Sequence, residues 1–180
     1  MIVPSTRIFT AGEVETGAYL NSAVTNMGNF MLGKPVAQLT STATTAVTLT
    51  TATPIPFSVA NLNRDNSWSS ATNPSRYTAQ TAGWYFVQAE IHWAALAGTY
   101  RACYLRKNAA ATGVAGSLHQ ILGSATASQT THCASLVYLN GTTDYVELIG
   151  VSGTTTALAA SSIVGAPTTT ANMNVVWVSL

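Results

Sequence analysis

From Pro35 to Leu180 the chain is written in short runs of Thr, Val and aromatic residues, each broken after a few positions by Gly, Pro, Asn or Ser. β-branched and aromatic side chains fit a pleated, half-buried surface, and turn signals repeated at this spacing read as a sandwich or barrel. The clearest run is Gly83-Trp84-Tyr85-Phe86-Val87-Gln88-Ala89-Glu90-Ile91-His92-Trp93. Its alternation places Tyr85, Val87, Ala89, Ile91 and Trp93 on one face and Phe86, Gln88, Glu90 and His92 on the other. The first set predicts a core. The second predicts a mixed face that meets water or a neighbouring subunit.

The same reading predicts strands over residues 36–41, 45–51, 55–59, 75–79, 83–95, 99–107, 115–122, 130–139, 144–151, 156–163 and 172–180. Residues 60–74, ANLNRDNSWSSATNP, are polar and rich in turn formers, so they are expected to form a loop. That loop holds Trp68, an apolar ring in a polar setting, which makes Trp68 the candidate for contact with a ligand or another chain. Trp84, Trp93 and Trp177 are assigned to the core or to an interface, as large packing residues.

A helix signal precedes the strands. Thr16 can cap, Leu20, Val24, Met27 and Met31 recur at helical spacing, and Gly33-Lys34-Pro35 ends the segment. An isolated helix of this length is marginal in water, so its stripe of Leu20, Val24, Met27, Phe30 and Met31 needs a partner surface. The expected organisation is an anchoring arm over residues 1–34, separate from the core, followed by one β domain over residues 35–180.

Charge narrows the partners. Only 7% of residues are charged, against roughly 25% in an average globular protein, and the net charge is +1. With an apolar share of 47%, the chain lacks the low hydrophobicity and high charge of disordered sequences. So few charges repel sister copies weakly, which points to surface buried against other protein chains. There is no basic field for nucleic acid, and no apolar run nears the ~20 residues that span a bilayer. The first residues, MIVPSTRIFTAGEVETG, lack a continuous apolar segment after a basic start, so synthesis in the cytoplasm without a secretion signal is expected.

Candidate chemistry is sparse. His92, His119 or His132 could combine with Asp65 or Asp144 and a serine, but no Gly-x-Ser-x-Gly elbow accompanies them. No two of the histidines and cysteines stand at Cys-x-x-Cys or His-x-x-x-His spacing, and the six acids are too scattered for a calcium cage. No catalytic residue, metal ligand or cofactor is therefore assigned. The histidines are read as sheet-surface or interface residues, Asp144 as a hairpin-stabilising group, and Arg101, Arg106 and Lys107 as a solvated rim. Cys103 and Cys133 are expected to be free, buried thiols.

The order of the motifs carries a resemblance. Phe57 is followed by Arg76-Tyr77-Thr78-Ala79, Gly83-Trp84-Tyr85-Phe86, Leu105-Arg106-Lys107-Asn108, Leu139-Asn140-Gly141 with Asp144-Tyr145-Val146-Glu147-Leu148, and an apolar final strand. Over residues 55–180 this resembles the globular heads of complement and collagen-type proteins, the tumour-necrosis-factor-like jelly roll. The resemblance implies a jelly-roll β-sandwich that works as a homotrimer. Gly141 and Asp144 are separated here by two threonines, so no calcium role of the family hairpin carries over.

The front of the chain, Phe9-Thr10-Ala11-Gly12-Glu13, Tyr19-Leu20-Asn21, Asn29-Phe30-Met31-Leu32 and Lys34-Pro35, is similar to the start of virion proteins from tailed phages of actinobacteria. That similarity implies a minor tail or head-decorating component, made in the bacterial host and partnered with other virion proteins. The alternative is a tail-fibre or spike head that binds a host receptor or glycan.

Overall fold

The computed structural model describes residues 16–48, 50–160 and 168–180. One helix, α1 (Gly17–Leu32), precedes twelve strands: β1 (Val36–Ser41), β2 (Ala46–Val47), β3 (Thr53–Pro54), β4 (Val59–Asn63), β5 (Arg76–Thr78), β6 (Ala82–Trp93), β7 (Gly98–Lys107), β8 (His119–Gly123), β9 (Gln129–Asn140), β10 (Tyr145–Ser152), β11 (Thr156–Ala157) and β12 (Ala171–Ser179). β4, β1, β12, β6 and β9 form one sheet in that order; β3, β10, β7 and β8 form the second, with β5 also paired to β10. A small ribbon joins β11 to β2. All the pairings are antiparallel, and the two sheets stack as a jelly-roll sandwich.

The period of two in β6 sets the core. Tyr85, Val87, Ala89, Ile91 and Trp93 all point inward and are buried, against Leu105, Val146 and Leu148 of the facing sheet. Trp93 is fully buried, and its indole N–H donates to the Thr131 hydroxyl at 2.9 Å. A side chain at Gly150 would press on Ile91, Ile55 and Trp93 at 3.2–3.3 Å, so the strand opposite must stay bare there. Cys103 of β7 and Cys133 of β9 come from opposite sheets as free, buried thiols that are hydrogen-bonded to each other. That bond and burial hold the Cys133 thiol well above its usual range.

Two turns singled out by their motifs meet in space. Asn108 adopts a left-handed φ of 52°, its side-chain Nδ2 donates to Asp144 Oδ1 at 2.6 Å, and its side-chain Oδ1 accepts the Tyr145 N–H at 2.9 Å. Asn140 Oδ1 accepts the backbone N–H groups of Thr142, Thr143 and Asp144, which closes the β9–β10 hairpin. Lys107 reaches Asp144 at 2.7 Å. The inserted threonines therefore make an amide-capped turn in which Asp144 is a latch between hairpins.

Several expectations are corrected. Residues 59–63, expected to straddle a strand end and a loop, form the edge strand β4, because β1 offers a free row of N–H and C=O groups to pair with. The strand expected over 55–59 is displaced to either side, and those over 45–51 and 115–122 shrink to β2 and β8. Part of the strand expected over 156–163 lies outside the described residues. The arm is also not clear of the core: Phe30 is buried, edge-on to Trp177 with ring centroids 5.0 Å apart, and the Arg64 guanidinium donates to the Leu32 carbonyl at 2.5 Å.

Replacing Trp93 with Ala removes the largest fully buried side chain and leaves the Thr131 hydroxyl without the indole donor. Chemical denaturation should report a loss of roughly 3–5 kcal/mol, the range of buried large-to-Ala changes. A loss below about 1 kcal/mol, the scale of a surface change, would contradict this register.

Candidate interaction surface

The outer face of the five-stranded sheet is organised in rows, because residues paired across antiparallel strands lie side by side on one face. Val36 of β1 pairs with Val176 of β12, Val176 with Phe86 of β6, and Phe86 with Leu136 of β9. This apolar ladder crosses four strands. Val176, Phe86 and Leu136 are 43%, 41% and 53% exposed. Beside it, Trp84 pairs with Tyr138, their rings edge-on with centroids 5.8 Å apart, and Val178 and Leu180 are exposed nearby in sequence. Of the three tryptophans expected in the core or an interface, Trp84 is not in the core: it alternates with buried Gly83 and Tyr85 and so points outward.

A groove of about 350 Å³ runs along this edge, lined by Trp84, Leu136, Tyr138, Val114 and Lys107. Lys107 closes its rim by donating to the Tyr138 carbonyl at 2.7 Å, with its ammonium 6.0 Å from the Tyr138 ring centroid.

Further along the strands the rows become polar. Gln38, Asn174 and Gln88 form the next row, and Thr40, Asn172, Glu90 and His132 the one after. Glu90 gathers the titratable groups. His92 Nε2 lies 3.3 Å from one carboxylate oxygen and His132 Nδ1 3.1 Å from the other, and the Asn172 amide donates to the first. His119 stacks on His132 with centroids 6.5 Å apart and accepts the His132 backbone N–H. The hydrogen bond with Glu90 holds His92 above its ordinary value of 6.5, and the same bond holds Glu90 below 4.5. His92, expected on the sheet surface, is buried: its backbone N–H donates to Thr170 and its carbonyl accepts from Ala159.

Other charges serve the fold. Glu147 is buried and bound by Arg76 at 3.2 Å and Arg106 at 2.9 Å, and the Arg76 guanidinium lies 4.1 Å over the Tyr145 ring. The reading of Arg101 as a rim residue is corrected. It is fully buried, it donates to the carbonyls of Ala94 and Leu96 at 2.5 Å each, and its guanidinium faces Trp93. Nothing in its alternating context distinguishes it from an exposed arginine, because its partners are main-chain oxygens.

No family model and no curated protein matches this sequence. Among solved structures, the globular domain of zebrafish complement 1qA protein superposes with a TM-score of 0.59 at 12% identity, covering 81% of this chain and 98% of that one. Murine APRIL at pH 5.0 does so with a TM-score of 0.56 at 10% identity, covering 79% and 98%. The fold is the complement and tumour-necrosis-factor-like jelly roll. The likeness at such identities is one of fold.

Within this jelly roll the residues singled out earlier fall into separate places. Leu20, Val24 and Met27 are exposed on α1, whereas Phe30 is buried against Trp177. The Met31 side chain lies outside the described residues. Trp68 is half-buried against the core; its indole N–H donates to the Pro74 carbonyl at 2.8 Å, and it lines a shallow depression of about 170 Å³ with Asn66, Ser69, Thr72 and Gln80. Among the described residues no group of three or more His, Cys, Asp or Glu could hold a metal ion, and no helix is long and apolar enough to cross a membrane.

The Glu90–His92 pair sets a pH dependence. A raised histidine stabilises the fold fully below 6.5, and that contribution is lost as pH rises through the raised value. A lowered carboxylate stabilises above 4.5, and that contribution is lost as pH falls through the lowered value. The difference in melting temperature between the native chain and His92→Gln should therefore be largest between pH 4.5 and 6.5 and shrink above 6.5. A difference that stays constant from about pH 5.5 to about pH 8.5 would exclude a charged His92.

Proposed function

We propose that this chain is a non-enzymatic structural protein of a tailed-phage particle, a homotrimer whose subunits meet through the apolar ladder of the five-stranded sheet and whose N-terminal arm joins it to the particle. The observation that carries the trimer is the ladder itself. Val36, Val176, Phe86 and Leu136, flanked by Trp84, Tyr138 and Val178, place large apolar side chains in rows on a sheet face that no other described element covers. Contiguous exposed apolar surface rimmed by polar residues marks a protein interface, and here amide and Glu–His rows supply the polar border. The jelly-roll fold and the trimer implied by its sequence resemblance agree with that surface.

The particle assignment is supported by the similarity of the first 35 residues to the start of phage virion proteins, and by a surface with too few charges to keep copies apart. Trp68, the contact expected of a receptor- or glycan-binding head, spends its polar end on Pro74 and one flank on the core, so the structural reading is favoured.

Light scattering at micromolar concentration should give three times the chain mass of 18.7 kDa. Phe86→Asp places a charge in the middle of the ladder and should yield a folded monomer; a trimer that survives it would remove this face from the interface. Antibodies raised against the chain should label intact tailed particles at a fixed position. Purified particles that carry no trace of the chain by mass spectrometry would exclude a virion role.

A further inference from the structure

We infer that the exposed stripe of α1 is the seam of a parallel three-stranded coiled coil, in which three copies of this chain bring Leu20, Val24 and Met27 into register. The inference rests on the trimer proposed above and adds a second contact to it. It gives the stripe to sister copies instead of to a particle surface.

Spacing is the first argument. Leu20, Val24 and Met27 stand at intervals of four and three, and Met31 follows four positions on in the sequence. That is the alternation of the two seam positions of a heptad, narrower than the stripe of a helix lying on a globular core. The second argument is exposure. Leu20, Val24 and Met27 are 57%, 64% and 55% exposed, so the described part of the jelly roll does not cover them. The residue that docks α1 on its own domain is Phe30, three positions past Met27 and at the border of the seam. One helix thus carries two separate contacts.

The third argument is charge. The segment GAYLNSAVTNMGNFML contains no charged residue. Asn21, Ala23, Gly28 and Phe30 flank the seam and none is charged, so identical helices in parallel meet without like-charge repulsion, with Phe30 turned to its own Trp177. Nothing on the helix offers charge complementarity to a different protein.

The fourth argument is continuity. α1 runs through Pro35, whose carbonyl accepts the Trp177 N–H at 3.0 Å, directly into Val36, the first rung of the apolar ladder. The root of the helix and the proposed subunit contact therefore share one end of the sandwich. Jelly rolls joined through that ladder hold three helix roots together. The effective concentration, ~mM for short tethers, offsets the weakness of two heptads that would not associate alone.

The test uses the full chain with single cysteines added at exposed positions of α1: Val24→Cys on the seam and Ser22→Cys on the opposite side, each treated with oxidised glutathione. Light scattering is run first on both. A trimer in which Val24→Cys forms a covalent dimer at least tenfold more readily than Ser22→Cys, on a non-reducing gel, is the expected result. A trimer of correct mass with no cross-link at Val24 overturns the seam while leaving the jelly-roll trimer standing, and the stripe then belongs to another protein. A trimer that cross-links equally at both positions also overturns it, since that pattern reports loose helices colliding. A monomer before oxidation overturns both readings.

Discussion

The pleat of β6 is the constraint on which the rest depends. This strand is hydrogen-bonded along its length to β12 on one side and β9 on the other, so both of its faces become faces of the whole sheet. A slip of one residue would send Trp93 and Tyr85 to solvent and Phe86 and Glu90 into the core. The register is pinned at Gly83, where β6 and β12 approach closely. A Cβ at Gly83 would lie 2.4 Å from both the Ser179 carbonyl and the Trp177 indole nitrogen, next to the shift in pairing between Trp177 and Ser179. The strand can approach so closely because nothing projects from Gly83, and the indole N–H then donates to the Ala82 carbonyl.

Charge is rationed in this protein and used inside it. Among seven Lys and Arg and six Asp and Glu, Glu147 engages two arginines, Lys107 engages Asp144, Glu90 engages His92 and His132, and Arg101 is buried on main-chain carbonyls. Buried charges are costly unless paired, so these groups are held in fixed geometries that specify which loops and hairpins meet. Among the described residues the rest of the surface is mostly amides, hydroxyls and apolar rows, with Lys34 and Arg64 exposed beside them.

The same economy ties the helix to the sheet. Phe30 and Trp177 lock the end of α1 at the edge of the sandwich, and the ladder that begins at Val36 continues from that point across four strands. Arm and domain are therefore mechanically one unit at their junction, although the sequence divides them cleanly. Phe30 lay in the right segment for a contact, but its partner, Trp177, is nearly the whole chain away.

The alternation of β6, the helix from Gly17 to Leu32, the final apolar strand and the order of the motifs were all legible in the amino acids, because each is a local period or a turn signal acting over a few residues. The chain by itself also determined that Trp93 is core and that Phe86 is not. What it could not determine is where long-range partners lie. Whether Arg101 is a rim cation or a buried clamp, whether Trp84 packs inward or stands on an apolar row, and whether Phe30 serves the particle or its own domain depend on atoms far away in sequence. Residues 59–63 became a strand because β1 left an unpaired edge, a fact of the folded sheet and not of their own composition. Local patterns fix which way a side chain points, and only the tertiary structure supplies what it points at.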